Sequence, residues 1–306
     1  MSSETLSWAG ALSEFEQYLA IEQGAAGPTR SAYLHDAGRY ARYLEQTLQV
    51  AVPAAADAGH VRLFLTHLQQ VCDLQERSLA RNLSAIRAFH GFLLSDGLLE
   101  HNPCERIEMP KMSRSLPLTL SVPEVEALLA AAIEPGDAAA IRNRAMLELL
   151  YSAGLRVSEL ANLELQRVFF QEGFVRILGK GNKERLVPAG APALRWLERY
   201  LREVRAAQPV RRGHESYVFL NQRGGRISRV SVFTIVQETA RRAGISRPVS
   251  PHTFRHTFAT HLIEGGADLR AVQDMLGHES ITTTEIYLHV DREYLREVHA
   301  LYHPRK

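Results

Sequence analysis

The sequence predicts a mainly α-helical protein with a small antiparallel β-sheet, arranged as two domains. Three observations carry that prediction. Apolar residues recur at helical spacing through the first hundred positions. An aperiodic stretch with three prolines, NPCERIEMPKMSRSLPLTL (102–120), then interrupts them. Beyond it the period changes to two at one place, FVRILGKGNKERLVPA (174–189). At 306 residues the chain is long enough to bury two cores.

Taken in order, Leu12, Phe15, Tyr18, Leu19 and Ile21 open the first helical run, and Tyr33, Tyr40, Tyr43 and Leu44 form the second. Val61, Phe64, Leu65 and Leu68 make the third, and Leu79, Leu83, Ile86, Phe89 and Leu93 the fourth. Gly27-Pro28, Val52-Pro53 and Asp96-Gly97 punctuate them, so residues 1–103 read as a small helical bundle. Residues 104–120 read as a linker. Ser121, Pro123 and Glu124 then spell a helix start, with a capping serine, an early proline and a glutamate three residues on. The second domain, 121–306, continues with two helices to about Ala153 and a short one through Val157 to Leu163. The hairpin turning at GKGN follows, then helices at 190–207, 229–243, 252–264, 268–277 and 291–300.

Composition narrows the function classes. No uncharged run approaches the ~20 residues that cross a bilayer. The N-terminus carries Glu4, Glu14 and Glu16 without a basic region, so neither a membrane segment nor a signal peptide is expected. Two cysteines, Cys72 and Cys104, give no disulfide framework and no thiolate cluster; they are assigned to packing in a cytoplasmic protein. Residues 1–112 hold 9 Lys/Arg against 13 Asp/Glu, leaving the remainder 27 against 21. A basic C-terminal part is compatible with nucleic acid without establishing it.

Chemistry concentrates in SPHTFRHTFATHL (250–262). His252 and His256 have the i, i+4 spacing of a zinc-binding helix, but Thr253 stands where such a site needs glutamate, and Arg255 would sit against the cation. No metal and no cofactor is expected. His256, His261, His289, His299 and His303 are read as structural. His252 and Arg255, three apart among aromatic residues, share a face that is partly buried, and a buried arginine needs an anion. AGLRVSELANL places Arg156 after Gly154, with Glu159 three residues on, where a structural salt bridge explains the couple equally well. Lys180 sits at the hairpin tip, where turn chemistry alone accounts for it. LGHESITTTEIYLHV brings His278 and, nine residues later, Tyr287, whose ring among Ile286 and Leu288 also suits a core.

Jointly these residues make one chemistry. Two arginines can grip the non-bridging oxygens of a phosphate, a lysine or histidine can protonate a leaving alkoxide, and a tyrosine can be a covalent nucleophile. The order Arg156, Lys180, His252, Arg255, His278, Tyr287 resembles the catalytic signature of the tyrosine recombinases, the integrase family. The motif text GLRVSELANL, GKGNKERLVP, SPHTFRHTFATHL and LGHESITTTEIYLHV is similar too, and the resemblance covers nearly the whole chain. Within the family the sequence is similar to the Xer type, which resolves chromosome dimers.

The resemblance implies a helical N-terminal DNA-clamp domain and a mixed α/β catalytic domain. Tyr287 would be the nucleophile that forms a 3′-phosphotyrosyl link. Arg156 and Arg255 would clamp the scissile phosphate, and Lys180 would be the general acid toward the 5′-oxygen. His252 and His278 would bind the phosphate or move the tyrosine's proton, and Glu159 would orient Arg156. It further implies a double-stranded DNA recombination site as substrate, with Arg223, Arg226, Arg229, Arg241 and Arg242 as candidate backbone contacts. A second, related recombinase would join it in a tetramer, a septal DNA translocase would activate it, and the C-terminal helix would dock on a neighbouring protomer. A mobile-element integrase with the same chemistry, a type IB topoisomerase and a DNA-binding protein with an idle site are the alternatives.

Overall fold

The computed structural model describes residues 6–23, 25, 27–109, 118–134, 136–179, 184–277 and 290–305. Its contacts divide the chain into two compact units, Met1–Ser115 and Leu116–Lys306.

Among the described residues the first unit holds four α-helices: α1 (Trp8–Ile21), α2 (Gly27–Gln46), α3 (Ala58–Gln70) and α4 (Glu76–Ser95). Each buries most of the stripe its periodicity foretold, although Ile21, at the last residue of α1, is exposed. Phe15 and Leu19 of α1, Tyr40 and Leu44 of α2, Phe64 and Leu68 of α3, and Leu83, Ile86 and Phe89 of α4 meet in one core. Trp8, one turn before the first predicted apolar residue, belongs to it as well and donates its indole N–H to Val50 O at 2.8 Å. Asp57 caps α3, its carboxylate accepting from His60 N at 2.8 Å. After α4 the chain stays packed: Cys104 and Ile107 are buried in this core, and Arg87 donates to Ile107 O at 2.7 Å. Cys72 departs from the expectation of packing. It follows the C-terminus of α3, exposed, because the chain turns outward there before α4 begins.

The second unit begins with α5 (Val122–Ile133), capped as its sequence foretold. Ser121 Oγ accepts from Glu124 N, and Glu124 Oε2 accepts from Ser121 N at 2.8 Å. Helices α6 (Ala138–Ala153) and α7 (Val157–Ala161) lead into a three-stranded antiparallel sheet. Its strands, β1 (Val168–Phe169), β2 (Phe174–Leu178) and β3 (Glu184–Pro188), stand in sequence order. The predicted hairpin is β2–β3, with Val175 opposite Val187 and Leu178 opposite Glu184. The two-residue β1 is too short for a period to show and was not foreseen. Among the described residues the further α-helices are α8 (Ala191–Glu203), α9 (Arg229–Arg242), α10 (Pro251–Gly265), α11 (Leu269–Leu276) and α12 (Val290–Tyr302).

Helix α6 is the centre of this unit, buried along Ala145–Ala153 and packed between α5, α8 and α10. Glu148, buried within it, is held by Arg144 at 2.9 Å and by Arg305 at 2.6 Å. A cluster of imidazoles seats α12 on its own unit. His299 Nε2 donates to Ser152 O at 2.8 Å, its ring stacks on His303, and His261 Nδ1 is hydrogen-bonded to Tyr151 Oη at 2.7 Å. This agrees with the structural reading of all three. Gly154 ends α6 at φ 56°, and a Cβ there would lie 2.4 Å from the ring of Phe258. Only glycine serves both constraints.

Burial lowers His299 to about 4, and lowers His303, which also feels His299, to about 3, from an ordinary 6.5. His90 in the first unit falls to about 4 for the same reason. Above pH 6.5 neither folded nor unfolded chain binds these protons and stability is full; below it the unfolded chain does. Stability should therefore fall as pH drops from 6.5 toward 5, by up to about 1.4 kcal/mol per pH unit for each histidine. Urea midpoints across that range measure it, and a flat profile would contradict the burial described. Gly154→Ala should lower stability by about 2–4 kcal/mol in the same assay.

Candidate active site

Two segments of the second unit meet at one buried carboxylate, and two more surround the cations that answer it. Arg156 follows the left-handed turn at Gly154 and stands as the N-cap of α7, fixed by fully buried Leu155 before it. Glu159, one turn on, has a side chain only 4% exposed. It accepts from Arg156 N at 2.8 Å and from Arg156 Nη1 at 2.9 Å, so the expected pairing with Arg156 is present twice over. The same carboxylate takes a second guanidinium in bidentate fashion: Arg185 of β3 donates Nη1 to Oε1 at 2.8 Å and Nη2 to Oε2 at 2.9 Å. Burial pushes the Glu159 carboxyl up, but its bonds from Arg185 and Arg156 outweigh that and hold it below the ordinary range.

Arg255 enters from α10, where the buried Phe254, Phe258 and Leu262 flank it and anchor that side of the helix in the core. It is buried and spends two donors on backbone carbonyls, Gly154 O at 2.7 Å and Leu276 O at 2.6 Å. Desolvation first, then the neighbouring Arg156 and Arg185 cations, lower it to about 10, so it remains charged at neutral pH.

All three arginines meet at the C-terminal end of α11. Arg185 Nε donates to Met275 O at 2.9 Å, Arg255 to Leu276 O, and Arg156 Nη2 to Gly277 O at 3.2 Å. A helix C-terminus offers unpaired carbonyls and a partial negative charge, which suits cations. Gly277 closes the helix at φ 66°, where a Cβ would stand 3.0 Å from Arg185 Cδ. His278 is the next residue in the sequence.

The structure thus brings together Arg156, Glu159 and Arg255 of the predicted set. His252 is exposed on the first turn of α10, one turn before Arg255. Lys180, His278 and Tyr287 lie outside the described residues. Lys180 belongs to the connection between β2 and β3, and Tyr287 precedes α12 by three positions. Arg185 was missed. Its signal was strand alternation, since it lies two residues before fully buried Val187 and so shares that inward face. Of the proposed backbone contacts, Arg223 and Arg226 are exposed in the segment before α9, Arg229 is exposed at its first residue, and Arg241 and Arg242 are exposed at its far end, about 20 Å from Arg229 at 1.5 Å per residue. Among the described residues, no group of three or more His, Cys, Asp or Glu is gathered as a metal would require.

Comparison with known proteins defines the class. Residues 119–293 match the phage integrase family, and residues 12–97 match the phage integrase N-terminal SAM-like domain. The chain belongs to the phage integrase family, the tyrosine recombinases, enzymes that break and rejoin DNA strands. Within that class its likeness is to the Xer type. It is 48% identical to "Tyrosine recombinase XerD" of Chlorobaculum tepidum over 97% of each chain. Among solved structures, the crystal structure of XerA recombinase is 27% identical with a TM-score of 0.50, the match covering 98% of this chain and 100% of that one. A lambda integrase tetramer bound to a Holliday junction shares the fold at a TM-score of 0.71 and 17% identity, over 97% of this chain and 79% of that one. The fold class and family expected from the sequence both hold.

Breaking a buried ion pair by removing one partner costs about 3–5 kcal/mol. Glu159→Ala, which leaves Arg156, Arg185 and Arg255 facing one another, is expected to destabilise the second unit by that order, read from its melting transition. A loss under about 1 kcal/mol would show that the carboxylate is not what holds the guanidinium groups.

Proposed function

We propose that this chain is the XerD-like member of a pair of recombinases that resolve chromosome dimers during segregation and cell division, acting in the cytoplasm on a double-stranded DNA site. The observation that carries the chemistry is the fixing of Arg156 and Arg255, far apart in sequence, onto adjacent carbonyls of one helix end. Each guanidinium keeps N–H donors beyond those it spends on protein, and a phosphodiester between them would receive bonds from two sides.

In the proposed mechanism Tyr287 attacks the phosphorus, its proton leaving to a nearby base, with His278 and His252 as the candidates. The bond to the 5′-oxygen breaks as the tyrosyl ester forms, and Lys180 protonates that oxygen. Arg156 and Arg255 carry the charge that grows on the non-bridging oxygens, which fixed donors stabilise without reorganising. One phosphate ester replaces another, so the link conserves the bond energy. Attack by a 5′-hydroxyl reverses the step on the same or an exchanged strand. Glu159 keeps Arg156 in place.

The partners follow from the same reading: a second, XerC-like recombinase completing a tetramer, and a septal DNA translocase as activator. Support for the tetramer comes from the shared fold with lambda integrase, solved as a tetramer on a junction. No membrane partner is proposed, and no described helix is long and apolar enough to cross a bilayer.

The test is a nicked duplex carrying a chromosome-dimer-resolution site, mixed without metal. Wild type should form a covalent protein–DNA adduct on a denaturing gel, and Tyr287→Phe should form none while still shifting the duplex. An adduct from Tyr287→Phe would identify a different nucleophile. Arg255→Ala should reduce adduct formation by about 100-fold or more, the scale of losing one pre-organised transition-state donor.

A further inference from the structure

We propose that Arg185 is a positioning residue for recombination, whose work is to occupy Glu159 so that Arg156 keeps its positive charge for the scissile phosphate. The inference rests on the proposed roles of Arg156 and Tyr287.

The charges require such a device. Glu159 lies against Arg156 through two hydrogen bonds, one from the main chain and one from the side chain. Alone with Arg156, a carboxylate with a side chain 4% exposed would form a closed ion pair, and the clamp would lose the charge it needs. Arg185 prevents this. Its fork spans both Glu159 oxygens at 2.8 and 2.9 Å, so the pair they form is neutral and leaves Arg156 and Arg255 as surplus cations. The side-chain exposures agree with that division: 13% for Arg185, whose three nitrogens are each spent on protein, against 38% for Arg156.

Arg185 also adjoins the two segments that carry other proposed catalytic residues. It stands on β3, directly across from Ile177 of β2, and the connection between those strands carries Lys180. Its Nε holds Met275 O at 2.9 Å, and Gly277 packs closely against its side chain, one residue before His278. A lysine at this position would supply the charge but could not fork across carboxylate and carbonyl together.

The test separates charge from mere structure. On the nicked duplex, Arg185→Gln is expected to slow adduct formation by about 100-fold while duplex affinity changes less than about three-fold, as befits loss of positioning. The decisive variant is the pair Glu159→Gln with Arg185→Gln, which removes the carboxylate that Arg185 was occupying. It should regain at least about ten-fold over Arg185→Gln alone, a coupling that independent sites do not show. No recovery, an unchanged rate in Arg185→Gln, or parallel loss of affinity and rate would each overturn the proposal. If Arg185→Gln does not melt as a folded protein, Arg185→Lys replaces it. That variant should lose rate with affinity retained, and wild-type rate or lost affinity in it counts against the proposal equally. Wild-type protein that forms no adduct, or Tyr287→Phe that does, overturns instead the underlying assignment of the chemistry, a failure visible before any Arg185 variant is made.

Discussion

One buried negative charge organises the second unit. The Glu159 carboxylate sits where water scarcely reaches, and a charge so placed is tolerated only if neighbouring groups answer it. Arg156 answers from the same short helix and Arg185 from the neighbouring sheet. The demand therefore ties α7 to β3 through directed bonds rather than through shape alone. With Arg255 added from α10, cations from three segments are close enough to repel one another, so only a rigid surrounding could keep them assembled.

That rigidity comes from backbone ends. The last carbonyls of α11 are receivers for the three guanidinium groups, and Gly154 O at the end of α6 takes Arg255 from the other side. Both helices finish in the left-handed conformation at a glycine, and in both cases a side chain presses against that glycine: Phe258 on Gly154, Arg185 on Gly277. The site is assembled from leftover hydrogen-bonding capacity at two helix termini, a resource every helix has and few spend on cations so densely.

Much of this was legible in the sequence, for identifiable reasons. The four N-terminal helices declared themselves because each presents one apolar stripe to a single core, and the start of α5 because its cap is chemical and local. The β2–β3 pairing followed from alternation. Arg156, Glu159 and Arg255 could be singled out since each combines a charge with apolar neighbours. Other features depend on contacts that no local pattern encodes. Arg185 lies within the quoted GKGNKERLVP, yet its partner Glu159 is 26 residues away and Met275 is 90. The imidazole cluster joins His261, His299 and His303 to Tyr151, more than a hundred positions earlier in the chain. Cys72 was assigned to packing by habit of residue type, and the turn after α3 placed it outside. Helix α12 showed its own period, but its seat on α10 and β3 of the same unit joins segments far apart in the chain.

The hold of Arg305 on Glu148 has a practical bearing on how the protein is handled. The side chain that helps neutralise a carboxylate in the middle of the central helix comes from three residues past the end of α12. A proteolytic cut between Tyr302 and Arg305 would leave Glu148 with Arg144 as its ion-pair partner and so loosen the interior of the unit from its edge. A protease-resistance assay on the stretch after α12 therefore reports on the packing of α6.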